Sequence, residues 1–267
     1  MTDKNTSIKK EFSMASVNYD ENALLQRDIA NELFDRVILP DYDFSLLDIG
    51  AGTGYLIKRF QGLGFVKDIY AMDIAFGMLD VIRKKNLKVK LAQSDANHLP
   101  FKDKSFDLVV SNVAYQWVND LNSAFRDAGR VLKENGNFYF TIFTENTLKE
   151  LRTVISEHLK VDIRQINAMG YLPKSTDVWK ALEEEKLSIV KTDLKQVEQH
   201  YANLFELLYW LKDIGANRYW SKSLYKGLSS RGFLESISKI YEANFKQGDR
   251  IFATFEIMFV EASKQYK

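Results

Sequence analysis

Leu46-Leu47-Asp48-Ile49-Gly50-Ala51-Gly52-Thr53-Gly54-Tyr55-Leu56 joins a short apolar run to three alternate glycines. The run from Ser45 to Ile49 predicts a buried strand, and the spacing of Leu56, Ile57, Phe60 and Leu63 predicts a helix. Strand, glycine turn and helix in that order present bare backbone to a ligand at a helix N-terminus. Glycine suits the turn because a Cβ would obstruct both the backbone path and the ligand's approach. Dinucleotide sites usually read G-x-G-x-x-G, whose last glycine eases helix–strand packing. Here the spacing is Gly50-x-Gly52-x-Gly54, with an acid at Asp48. A tight turn with no ligand is the alternative, and the acid together with three glycines argues against it.

Outward from this stretch, strands and helices alternate. Val66 to Met72, Val89 to Gln93 and Phe106 to Ser111 read as strands, with Asp73 and Asp95 following the first two. Helices are predicted over Phe76 to Lys85 and Leu121 to Leu132, and Gly136 breaks the chain before a strand from Asn137 to Phe143. This rhythm predicts an α/β fold with a parallel sheet and the ligand crevice at the strand C-terminal ends. Upstream, a frayed start leads through Phe12 to Tyr19 into a helix over Ala23 to Val37, closed by Pro40. Past Thr144 the rhythm changes to helices over Leu148 to Leu159, Ser175 to Glu185, Leu204 to Lys212 and Leu224 to Ala243. Strands over Leu187 to Val197 and Ile251 to Val260 complete the sheet. The added helices are expected to form a cap over the strand ends, with surface decoration as the other reading.

Composition narrows the function. A net charge of +1, from 37 Lys and Arg against 36 Asp and Glu, gives no overall pull toward nucleic acid. The absence of cysteine excludes disulfides, thiolate nucleophiles and cysteine zinc sites. His98, His158 and His200 lack metal-ligand spacing, so no metal is expected. No apolar run approaches the roughly 18 residues of a membrane span, and the polar Met1 to Lys10 is no secretory signal. A cytoplasmic protein without a membrane or nucleic-acid partner is therefore expected. Three prolines and no low-complexity linker favour a single domain over 1–267, with an N-terminal helical segment at 10–40 and cap insertions near 145–185 and 203–245.

Asp73 ends a strand about 20 residues after the glycines, the reach that suits a carboxylate accepting from ribose hydroxyls. Ile74 can pack on a base. Asp95 offers an acceptor to an exocyclic amine beside the small Ala96, although Asp also favours turns for its own reasons. Ser111-Asn112-Val113-Ala114-Tyr115-Gln116-Trp117 ends the fourth strand, and Asn112, Gln116, Tyr115 and Trp117 are expected on the substrate side. Aromatic rings there suit a cation by about 0.5–2 kcal/mol; the plainer role for Trp117 is to anchor the next helix.

The alternate glycines, Asp73, Asp95 and the Ser-Asn-x-x-x-Gln-Trp run resemble class I S-adenosylmethionine (SAM) dependent methyltransferases. Three further segments are similar to the malonyl-acyl-carrier-protein O-methyltransferases of biotin synthesis. These are Phe12-Ser13-x-Ala15-x-x-x-Tyr19 with Leu25-Gln26, Thr147-Leu148-x-Glu150-Leu151, and Leu211-Lys212-x-Ile214-Gly215-Ala216-Asn217. The resemblance runs nearly end to end.

It implies a Rossmann-like fold with a mostly parallel seven-stranded sheet, helices on both faces and an inserted helical cap. It also implies methyl transfer from SAM, leaving S-adenosylhomocysteine (SAH), to the free carboxylate of a malonyl thioester on acyl carrier protein. Asp48, Gly50, Ala51, Gly52, Gly54, Asp73, Ile74, Asp95, Ala96 and Asn112 would hold the cofactor. Asp48 would either hold the loop or face the amino group of the methionine part. Tyr19 would orient the acceptor, or merely pack. With Tyr19, the substrate-side candidates are Gln116, Trp117, Arg152, Lys212 and Arg218, one of the cations pairing with the malonyl carboxylate; each of the three cations is equally readable as a solvated charge. Lys212, Arg218, Lys222, Lys226 and Arg231 would form a basic face for an acidic carrier protein. A methyltransferase of a small metabolite such as a quinone, a SAM-binding protein without turnover, and a nicotinamide enzyme are the other readings.

Overall fold

A computed structural model describes residues 4–163, 172–216 and 231–264. The opening stretch forms β1 (Phe44–Ile49) and α4 (Tyr55–Gln61). Before it stand α1 (Lys4–Ala15), the single-turn α2 (Tyr19–Asn22) and α3 (Leu24–Arg36). The frayed start expected from the sequence is instead helical. In α1 Ile8 is buried and Phe12 and Ala15 are half-buried, too short an apolar edge for a periodic signal.

The chain continues through β2 (Val66–Asp73), α5 (Phe76–Lys84), β3 (Lys90–Gln93) and β4 (Phe106–Ser111). A one-turn 3-10 helix at Tyr115–Trp117, α6 (Leu121–Val131) and β5 (Leu132–Phe143) follow. β5 starts earlier than expected, because Gly136 lies within a register shift against β4 instead of ending the preceding element. Beyond it come α7 (Lys149–Leu159), α8 (Ser175–Glu184), β6 (Leu187–Tyr201), α9 (Leu204–Asp213) and α10 (Arg231–Asn244). The chain closes with β7 (Lys246–Gln247) and β8 (Arg250–Lys264).

The sheet order is β3-β2-β1-β4-β5-β8-β6, with β7 pairing β8 off this path. The sheet thus has eight strands, not seven. The extra one is the two-residue arm of a hairpin turning at Gly248, where φ is +63°. β1 to β5 pair in parallel, whereas β8 runs antiparallel to both β5 and β6. Crossing from β1 to β2 on one side and β4 on the other opens the crevice at the C-terminal ends of these strands.

Every residue of β4 is buried, as a strand covered on both faces requires. Leu108 and Val110 join the core under α3 and α4, and Val109 joins the opposite core under α6 and α8. The cap shares the first of these cores: Leu151 and Ile155 of α7, Leu207 and Leu211 of α9, and Tyr241 of α10 cluster with Phe143 and Phe255. Two buried carboxylates fasten it. Glu150 accepts from the backbone N–H (3.0 Å) and hydroxyl (2.5 Å) of Thr254. Glu256 accepts from Thr144 (2.6 Å), Asn146 and Gln196 (2.8 Å). Thr147 donates to the Glu256 carbonyl and accepts from its amide, so Thr147 and Glu150, two residues of one resemblance-bearing segment, staple the start of α7 to β8. Among the described residues no helix is long and apolar enough to cross a membrane.

Candidate functional site

The glycine loop is fixed from below by the amides of Gly50 and Ala51, which donate to the Met72 carbonyl at 2.8 and 2.9 Å. All three glycines have positive φ, +72° at Gly50, +54° at Gly52 and +85° at Gly54, where a Cβ is strained. Their surroundings differ. A Cβ on Gly50 would stand 2.4 Å from the Ala114 Cβ, and one on Gly54 would stand 3.0 Å from Ile82 and Leu87. A Cβ on Gly52 would meet nothing within 4 Å, although Gly52 lines the cavity wall. Gly52 leaves space for a ligand, whereas Gly50 and Gly54 serve close packing. Gly54 lines neither cavity and is the left-handed N-cap of α4.

Two adjoining cavities meet at this loop. The larger spans about 860 Å³ of non-atom space, open solvent at its mouth included, and the smaller about 470 Å³. They share Tyr19, Gln26, Gly50, Gly52, Asn112 and Val113, so these residues form a waist. Val113 holds φ at +43°, an outlier for a β-branched residue. Thr141 fixes it by accepting the Val113 amide at both its hydroxyl (2.9 Å) and its carbonyl (3.1 Å).

Asp73 lies at the base of the larger cavity, accepting from the amides of Gly52 (2.9 Å) and Ala75 (2.8 Å), one on each oxygen. Each oxygen keeps a lone pair for a ligand hydroxyl. Burial pushes its carboxyl up to about 6, the amides opposing. Asp48, on the smaller cavity, is pushed to about 8 by burial and by Asp73. Its Oδ1 is buried without a partner. A buried carboxylate oxygen left unpaired is costly unless a donor or cation reaches it.

Ile74, Met78, Asp95 and Ala96 wall the far end of the larger cavity. Asp95 accepts from the Asn97 amide (2.9 Å) and from the Asn5 side chain, so α1 lies over this end, a contribution not foreseen from the sequence. Ile8 and Phe12 of α1 line the same wall, and Phe12 meets Trp117 edge-on at 5.2 Å. The smaller cavity contains Ala51 and Arg27 beside Asp48. Arg27 went unnoticed in the sequence; its only signal was its place next to Gln26 on a helix leading to the loop.

On the substrate side, Asn112 donates to the Gln26 carbonyl (2.9 Å) and accepts from Thr141 (2.8 Å), tying α3 to the end of β4. Gln116 donates to the Val113 carbonyl (2.6 Å), leaving its Oε1 buried and unpaired at the cavity. Tyr115, expected beside them, instead turns into the core against Phe125, Phe138 and Phe140. Trp117 does line the cavity.

The cations expected to meet an acceptor carboxylate are not brought there. Arg152 donates to the carbonyls of Glu145 and Ile163 and is absent from the cavity wall. Lys212 is exposed, and its neighbours Ile214 and Ala216 line the cavity instead. Between them Gly215 has φ of +77°, and a Cβ there would press on Phe12 at 3.0 Å. Arg218, with Asn217, Lys222 and Lys226 of the expected basic face, lies outside the described residues.

Tyr19 stands at the waist between the cavities. Burial, with Asp73 and Asp20 nearby, drives its hydroxyl well above the usual range, so it is a neutral hydrogen-bond donor and not a base. The site as a whole has a paired acid for vicinal hydroxyls, an apolar slot, and an unpaired acid in a cavity that an arginine also lines. That set fits the ribose, the base and the amino-acid end of SAM, with the open space at Gly52 between them.

Residues 47–140 match the family described as Methyltransferase domain. The malonyl-[acyl-carrier protein] O-methyltransferase of Methylovorus sp. is 30% identical, over 96% of this chain and 88% of that protein. The enzyme of the same name from Geobacter sulfurreducens is 28% identical, over 94% and 96% respectively. Among solved structures, the YcgJ protein of Bacillus subtilis aligns with a TM-score of 0.65 at 19% identity, over 90% of this chain and 99% of that one. The [4+2]-cyclase SpnF aligns at 0.57 and 17%, over 90% and 82%. Fold alone therefore does not set the reaction. Sequence similarity along nearly the whole length does: the chain belongs to the malonyl-[acyl-carrier protein] O-methyltransferase family of class I SAM-dependent methyltransferases.

Proposed function

We propose that this protein methylates the free carboxylate of a malonyl thioester on acyl carrier protein, using SAM. The observation that carries the reading is Tyr19, a half-buried neutral donor at the waist between two adjoining cavities. When bound, SAM supplies an electrophilic methyl group, which a carboxylate oxygen must approach in line to about 3–3.5 Å. Asp73 accepts from the ribose, Ile74 and Ala96 flank the adenine, and Asp95 accepts from its amino group. Gly50, Ala51 and Gly52 give backbone room. Asp48 faces the ammonium of the amino-acid end and Arg27 its carboxylate.

A malonyl carboxylate is already ionised at neutral pH, so no residue has to act as a base. Tyr19 donates to the acceptor and orients it. The described residues lining the larger cavity include no Lys, Arg or His. A close guanidinium would hold the carboxylate's charge in the ground state, whereas Trp117, Phe143 and Ile214 exclude water, whose hydration of the anion slows attack. Cap residues Ile214 and Ala216, resting on Phe12 through Gly215, supply that closure.

Labelled methyl transfer from SAM to malonyl carrier protein, run beside malonyl coenzyme A and free malonate, tests the reading. Label on the thioesters but not on free malonate is expected. Binding of SAH with no label on any of the three would reject it, and binding of NAD in place of SAH would reject the cofactor.

A further inference from the structure

The single turn that carries Tyr19 has no side-chain cap and no buried residue of its own, yet it is clasped from two sides. On the loop side, the Thr53 hydroxyl donates to one Asp20 oxygen at 2.5 Å. Lys85, at the end of α5, donates to the other at 2.5 Å and to the Thr53 carbonyl at 2.9 Å. On the cap side, Trp210 of α9 donates its indole N–H to the Asn22 carbonyl at 2.9 Å. Burial tends to raise the Asp20 carboxyl, but the bonds from Lys85 and Thr53 outweigh it and hold it below the usual range.

We propose that Asp20 and Lys85 form a latch that positions Tyr19: Lys85 bolts the N-terminal turn to the glycine loop, so that the acceptor-orienting hydroxyl is set only when the cofactor loop is in place. This rests on the reading of Tyr19 given above. Asp20 and Tyr19 are neighbours on one turn, so holding the carboxylate at Thr53 and Lys85 fixes the backbone from which the Tyr19 ring reaches the waist. Lys85 lines neither cavity, so its effect on turnover passes through the turn or through the Thr53 loop it also binds, and SAH affinity separates the two. The groups are partly exposed, with side-chain exposures of 35% for Lys85 and 43% for Asp20, so the latch adds little to global stability. Its consequence is placement, where misalignment by about 1 Å can cost as much as 10²-fold in rate.

The test is a double-mutant cycle of Lys85→Met and Tyr19→Phe with malonyl carrier protein. Lys85→Met is expected to lower kcat about tenfold with SAH affinity held within about twofold, and Lys85→Arg to restore it. In the Tyr19→Phe background Lys85→Met should have no further effect. An unchanged kcat in Lys85→Met, or an equal loss in both backgrounds, overturns the latch. If the wild-type protein does not methylate malonyl carrier protein, the functional reading fails separately. Hydrogen exchange in the SAH-bound protein then decides the latch: faster exchange at the 19–23 amides in Lys85→Met supports it, and unchanged exchange overturns it.

Discussion

Substituting alanine at each of the three loop glycines separates ligand space from packing. At Gly52, φ of +54° costs a side chain about 1–2 kcal/mol, a fall in Tm of roughly 2–8 °C for a chain of this size. No protein atom lies within 4 Å of the added methyl, so no further loss of stability follows. The methyl instead enters ligand space, where overpacking costs about 1–3 kcal/mol, or about 5- to 150-fold in affinity. At Gly50 the balance reverses, because the 2.4 Å approach to Ala114 adds a packing cost to the strain. Gly54→Ala should likewise lose stability, against Ile82 and Leu87, while keeping SAH affinity. Thermal unfolding and isothermal titration with SAH on the three variants measure both quantities. Wild-type affinity in Gly52→Ala, or a larger affinity loss in Gly54→Ala, would refute the placement of the ligand. Gly52→Val, larger still, should leave no measurable binding.

Three other outcomes follow from the site and the cap. Asp73 and Asp48 are raised to about 6 and about 8 in the folded, ligand-free protein, so the stability they contribute is full below about pH 3.9. It is lost as pH rises through 6 and then 8, and the Tm gain from SAH should be larger at pH 8 than at pH 6; an equal gain would exclude Asp48 as the partner of the ligand's ammonium. Asp73→Ala should abolish SAM binding at ordinary concentrations, because it removes both the ribose acceptor and the partner of the Gly52 amide; retained activity would remove the ribose role. Glu150→Ala orphans the buried Thr254 groups and should destabilise by about 2–4 kcal/mol in chemical denaturation, whereas a change under 1 kcal/mol would show that α7 is held by its apolar face alone.

The glycine turn and the strand ends were legible because they depend on local sequence: an apolar run, glycines where φ is positive, and acids where strands stop. Which glycine faces the ligand was not, since Gly50, Gly52 and Gly54 look alike until Ala114 and Ile82 arrive from distant elements. Tyr115 and Trp117 show the same limit, for a 3-10 turn sends one ring into the core and the other to the cavity. α1 was missed because Ile8, Phe12 and Ala15 make too short an apolar edge, and its packing depends on Gly77 giving room to Ser13 and Gly215 to Phe12. The Thr147 and Glu150 segment carried resemblance without revealing its purpose, which lies in partners on β8 more than a hundred residues away. Charge misled in a consistent way: Arg152 and Lys212 looked like carboxylate partners, but one is spent on backbone carbonyls and the other faces outward.

Which atom receives the methyl group decides the reaction. Mass spectrometry of malonyl carrier protein after incubation with this protein and SAM reads it directly. The expected result is a gain of one methyl group as an ester on the terminal carboxylate, removed by mild base, with the thioester and the malonyl carbon unchanged. No gain, or a base-stable methyl on carbon, would contradict it.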